Sequence, residues 1–138
     1  MSPTSNQQIV RGFIEDVWNR GLTERIADFV SAGFVDRAYN PPDAEGHRSM
    51  VETLKATIAD AVWTVDRMVA DDTAVICEMR LTGTHTGAFR GIPASGNPIS
   101  VRAYRSFVLS DGEIVEHAAL LDTQSLLAQM KKDATGNG

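Results

Sequence analysis

Over residues 74–85 and 99–109 apolar and polar side chains alternate with a period of two, and a sheet is the structure that sorts such a stretch onto two faces. Over residues 74–85, Val75, Cys77, Met79, Leu81 and Gly83 share one face, opposite Glu78, Arg80, Thr82 and Thr84. Over residues 99–109, Val101, Ala103, Phe107 and Leu109 share one face, opposite Ser100, Arg102, Tyr104 and Ser106. Asp111-Gly112 is a two-residue hairpin signal that joins this run to a last strand over residues 113–121. A first strand is expected over residues 62–69, with Asp71-Asp72 as its turn. The Gly/Pro-rich stretch 86–98 is too irregular for a strand and reads as a connection.

The first half of the chain follows the helical period instead. Ile9, Val10, Phe13, Ile14 and Val17 lie on one stripe behind a Ser5 or Asn6 cap, and Asn19-Arg20-Gly21 ends the segment. Thr23 caps a short second helix carrying Ile26, Phe29 and Val30. A short extended piece, Phe34-Val35-Asp36, leads to a loop around Tyr39-Asn40-Pro41-Pro42. A third helix carries Met50, Val51, Leu54 and Ile58, with His47 at its start expected on the surface. A closing helix carries Leu126, Leu127 and Met130. Helices followed by an antiparallel meander predict an α+β domain, with a strongly bent sheet wrapped around a helix to enclose a pocket.

Composition narrows the function classes. The 138 residues are one domain's worth, expected over residues 1–131 with a frayed tail over 132–138. The net charge of −5, with no Lys/Arg cluster, argues against nucleic-acid binding, which needs cations to neutralise phosphates. No apolar run approaches the roughly 20 residues that span a bilayer. The N-terminus lacks the basic and apolar blocks of a signal peptide, so a cytoplasmic location is the expectation. Cys77 is the single cysteine, which excludes an internal disulfide and any cysteine metal cage. No metal and no other cofactor is expected, and the expected partner is a small-molecule substrate.

Three polar residues stand on apolar faces: His85, one step past Gly83; Arg105, between Ala103 and Phe107; and His117, in the odd set Val115, His117, Ala119 and Leu121 of a last strand whose even set, Ile114, Glu116, Ala118, Leu120 and Asp122, is also partly apolar. An interior cation or imidazole costs several kcal/mol unless it is paired or faces a wet cavity. Three of them, from three strands of one sheet, point to a ligand pocket. Structural alternatives stay open: His85 can tie down the loop after it, Arg105 can pair with Asp36 or Glu52, and His117 can be a satisfied core histidine. Asp122, directly before Thr123-Gln124-Ser125, is read as a helix cap rather than a catalytic acid.

The stretch Leu81-Thr-Gly-Thr-His-Thr-Gly-Ala-Phe-Arg-Gly-Ile-Pro-Ala-Ser-Gly96 resembles the loop signature of the SnoaL-like polyketide cyclases. So do Asp111-Gly-Glu-Ile-Val-Glu-His117, Leu121-Asp122, Leu126-Leu-Ala-Gln-Met130 and Val17-Trp-Asn-Arg-Gly-Leu22. The resemblance spans nearly the whole chain. It implies an NTF2-like cone, with three N-terminal helices packed on a strongly curved antiparallel sheet, and a homodimer formed through the outer face of that sheet. It also implies cofactor-free ring closure of polyketides. The family's acid/base aspartate falls at position 119 and its assisting histidine at 105, which here are Ala119 and Arg105. The family's aromatic residue of the first helix and loop histidine are kept as Trp18 and His85.

The expected activity is therefore a cofactor-independent cyclase or isomerase acting on a polyketide-like or other bulky carbonyl compound, without the aspartate-based aldol step. It would use His117 as base, or a cycloaddition or conjugate addition in a shaped pocket. A non-catalytic binding or scaffold domain is the alternative. Arg105 and His85 are the candidate oxygen-binding groups and His117 the candidate acid/base. Trp18, Phe13, Tyr39, Trp63, Phe89, Phe107 and Ala119 are the candidate substrate-binding wall.

Overall fold

The computed structural model describes residues 2–132; the tail expected to fray lies, from residue 133 on, outside the described residues. Helix α1 (Pro3–Phe13) starts one turn earlier than its apolar stripe suggests, because Ser2 caps it and Pro3 suits the first helical position. It passes into a π-helical turn (Ile14–Asn19), then a 3-10 turn (Thr23–Arg25) and the single turn α2 (Ile26–Phe29). Strand β1 (Val30–Asp36) follows and leads to α3 (Ala44–Thr57). The meander is β2 (Val62–Ala70), β3 (Ala74–Thr84), β4 (Pro98–Ser110) and β5 (Glu113–Leu121), closed by α4 (Thr123–Lys131). Asp111 and Gly112 both take positive φ, 51° and 82°, as a two-residue hairpin turn requires.

The sheet order is β1-β5-β4-β3-β2, and β1 runs parallel to β5 while the other pairs are antiparallel. This corrects the expectation of three N-terminal helices on a strongly curved antiparallel cone. Among the described residues four α-helices accompany a mixed sheet that is open, not closed or strongly curled, with β1 and β2 as its two separate edges. The reason lies in β1. Its seven residues include Val30, read as helical, and a Gly/Ser/Ala stretch with no alternation, so only its last three residues announce a strand. The chain crosses from β1 through α3 to the far edge, and β1 is left to pair in parallel with β5 at the other side.

The buried core lies between the helices and the inner face of this sheet, with Val75, Cys77, Met79, Leu81, Val101, Ala103, Phe107 and Leu109 facing Val10, Phe13, Val17 and Trp18. In β5 the alternation fails for a local reason. Leu109 pairs with Ile114 and Val108 with Glu116, so Val115 is an extra residue, and the bulge turns both Ile114 and His117 inward.

Candidate active site

A buried polar network forms where β1, β5 and α3 meet. Asp36 and His117 are register partners on the parallel strands β1 and β5, and Asp36 Oδ1 lies 3.0 Å from His117 Nδ1. Asp36 Oδ2 lies 2.7 Å from Nδ1 of His47, one turn into α3. The Ala38 backbone N–H also donates to Oδ1, at 2.9 Å. All three side chains are fully or almost fully buried. The expected surface position of His47 is thus corrected. It lies four residues before Val51 and seven before Leu54, on the buried stripe of α3. Gly46 permits the approach: a Cβ there would stand 1.8 Å from the Pro41 carbonyl oxygen, so only glycine lets the 37–43 loop fold against α3.

Donor geometry assigns the protons. Trp18 Nε1–H donates to His47 Nε2 at 2.8 Å, so the other nitrogen, Nδ1, carries the proton and donates to Asp36. Arg105 Nη1 faces His117 Nε2 at 3.4 Å, and a guanidinium only donates, so His117 is likewise protonated at Nδ1 toward Asp36. Burial pushes His117 down to about 4, helped by the nearby Arg105 charge and opposed by its bond to Asp36. Burial lowers His47 too. Burial by itself would raise the Asp36 carboxyl, but the hydrogen bonds from His117 and His47 outweigh it and hold it well below the ordinary carboxylate range. The network at neutral pH is one carboxylate bridging two neutral imidazoles.

Arg105 connects this network to a cavity of about 550 Å³. It projects from the centre of β4 between two small register partners, Cys77 on β3 and Ala119 on β5. Those small neighbours leave room for two indoles: the guanidinium carbon lies 4.6 Å from the Trp18 ring centroid and 4.5 Å from that of Trp63. Nη1 also donates to the Tyr39 hydroxyl oxygen.

The cavity wall includes Arg105, Tyr39, Trp63, Phe89 and Ala119 among the residues expected there. Trp18, Phe13, Phe107 and His117 lie behind it in the core, in an aromatic cluster that includes Phe13–Trp18 at 5.7 Å and Phe107–His117 at 5.0 Å. His85 is buried and also off the wall. Its Nδ1 meets Ser95 Oγ at 2.8 Å and its backbone pairs with Asn97 and Gly96, which pins the 86–97 loop. Asp122 caps α4, its Oδ1 accepting from the Ser125 N–H at 3.1 Å.

Asp36, His47 and His117 also bring potential ligand atoms within 4.8 Å of one another. They do not fit a metal ion: both Nδ1 atoms carry protons aimed at Asp36, and both Nε2 lone pairs already face donors, Trp18 and Arg105. The Arg105 charge beside His117 further opposes a second cation. Sequence reasoning missed Asp36 and His47. Asp36 lies two residues past the apolar Phe34 in an alternating strand, and His47 lies on the helical stripe, so both periodicities carried the signal.

The family model described as SnoaL-like polyketide cyclase matches residues 8–130. The chain belongs to this family. Among solved structures, TsrD from Streptomyces laurentii superposes with a TM-score of 0.84 at 25% identity, covering 95% of this chain and 98% of that one. IdmH from Streptomyces antibioticus gives 0.80 at 25% identity, covering 90% and 96%. A SnoaL-like polyketide cyclase from Agrobacterium tumefaciens gives 0.75 at 18% identity, covering 90% and 96%, a likeness of fold alone. No curated protein matches the chain.

Proposed function

We propose that this chain is a cofactor-independent cyclase or isomerase that closes or rearranges a polyketide-like carbonyl compound by polarising a carbonyl oxygen. The observation that carries the reading is Arg105: a buried cation on the cavity wall, packed against two neighbouring indoles, with its Nη1 on the Tyr39 hydroxyl. Because Tyr39 accepts from Arg105, its own O–H proton is free to point at a substrate oxygen. The pair then presents two donors to the charge that develops as a new carbon–carbon bond forms. The cavity contributes by folding a flexible chain into a reactive shape. Asp36 and His117 act from behind, fixing the plane of Arg105 through the His117 Nε2 contact.

His117 serves in this reading as a positioning residue rather than the base. It is off the cavity wall, its free lone pair faces Arg105, and burial makes it a weak base. No carboxylate lines the cavity among the described residues, and Ala119, the position to which the family resemblance assigns the aspartate, pairs with Arg105 in register. That same alanine favours the second reading, a binding domain without turnover.

Deletion of the gene in its own host, followed by complementation, separates the two. The expected result is that the deletion strain accumulates an uncyclised isomer or hydrate of a product. The native gene should restore the product, while Arg105→Ala and Tyr39→Phe should restore it at least about tenfold less well. Unchanged metabolites, or full complementation by Arg105→Ala, would overturn the catalytic reading.

A further inference from the structure

The cavity wall has a charge that the chain as a whole does not share. The net charge is −5, yet the wall contains Arg105 and Arg90 and no Asp or Glu among the described residues. Arg105 is 3% exposed, and among the described residues it forms no ion pair. The protein's counter-charge, Asp36, is reached only through His117, and its oxygens are occupied by His47, His117 and the Ala38 N–H. A desolvated cation without a carboxylate beside it leaves a place for an anion.

Arg105 keeps one donor for that anion. Nη1 faces Tyr39 and His117, whereas Nε is buried without a partner and Nη2 makes no hydrogen bond among the described residues. Nε has no accessible surface, so Nη2 is the donor left for a ligand in the cavity. Trp18 and Trp63 pack beside one another against the group, their ring centroids 5.5 Å apart, while Arg105 also lines the cavity. Arg90 adds a solvent-facing charge at the same wall. It stands on a pinned two-residue turn, where Phe89 and Ile92 exchange backbone hydrogen bonds of 2.9 and 2.8 Å and Arg90 and Gly91 take φ of 49° and 79°.

We infer that the cavity recognises an anion: a bulky apolar compound whose oxyanion, a carboxylate or the enolate of a 1,3-dicarbonyl, docks on the Arg105 guanidinium at Nη2. Arg90 draws that ligand toward the wall. The inference deepens the reading above and rests on it only for the location of the site.

Titration calorimetry on the full chain tests it with 6-phenylhexanoate and its neutral isostere 6-phenylhexanamide. The carboxylate should bind about tenfold or more tightly, as a charge-assisted contact does over a neutral one. Arg105→Gln should abolish the difference. Arg90→Gln, on an exposed turn, should weaken the carboxylate by about two- to threefold at low salt and not at high salt. For 1-phenylbutane-1,3-dione, affinity rising through the ligand's own ionisation identifies the enolate as a ligand. Equal affinities for acid and amide, with no gain on ionisation of the diketone, would overturn the inference. So would a carboxylate preference that survives in a folded Arg105→Gln. If that variant fails to fold, the wild-type acid and amide comparison decides. No step measures turnover, so a chain that prefers the carboxylate yet leaves host metabolites unchanged overturns only the catalytic reading.

Discussion

A carboxylate without solvent needs its lone pairs in use, and Asp36 meets that demand with two imidazoles and a backbone N–H. Its stability contribution has a definite sign with pH. The folded carboxyl ionises below its ordinary 3.8, so what it contributes is present above that value and lost as pH falls below it. The histidines act earlier. Unfolded, each takes a proton near 6.5; folded, His117 resists until about 4 and His47 is also depressed. The unfolded state therefore binds more protons through this window, and stability should fall by up to about 1.4 kcal/mol per pH unit per histidine as pH drops below 6.5. Urea unfolding between neutrality and pH 4 measures it, and a flat profile would contradict two buried neutral imidazoles. Trp18→Phe keeps the ring packing but leaves His47 Nε2 buried without a donor. The expected loss is about 1–3 kcal/mol by the same assay.

At the scale of elements, the site depends on how each piece begins and bends. The π-helical turn after α1 lets Arg20 N–H reach back five residues to the Glu15 carbonyl, and it holds Trp18 between His47 and Arg105. The start of α3 depends on Gly46; Gly46→Ala puts a methyl into the Pro41 carbonyl and should cost upwards of about 2 kcal/mol, displacing the loop that carries Tyr39. Helix α4 offers a contrast. Asp122→Ala removes its cap and should cost about 1 kcal/mol in unfolding experiments, while complementation of the deletion strain stays at the native level. A loss of product from this substitution, in a folded variant, would make Asp122 more than a cap.

Taken whole, the open sheet presents its outer face to solvent. Ile76, Tyr104 and Leu120 are exposed there, and Tyr104 and Leu120 are register partners on β4 and β5. The homodimer implied by the family would cover this patch. Sedimentation of the native chain should give a dimer, and Leu120→Lys should shift it toward monomer without altering the circular dichroism; a native monomer would remove the proposal.

Periodicity alone was enough to separate the helical half from the meander, to place β3, β4 and β5 within a residue or two, and to turn Arg105 inward, because each reports a pattern that a strand or helix imposes locally. The Asp111-Gly112 turn and the Asp122 cap were readable for the same reason, being set by residues adjacent in sequence. The parallel pairing of β1 with β5, the inward turn at the Val115 bulge and the openness of the sheet were not, since each depends on which distant strand lies alongside. The meeting of Asp36, His47 and His117 is of that kind: 81 positions separate Asp36 from His117, and no local pattern records that they share a hydrogen bond. Tertiary packing also decided which aromatics face the cavity. Burial is legible residue by residue, whereas the boundary between core and cavity is set by the volume left over once every side chain is in place.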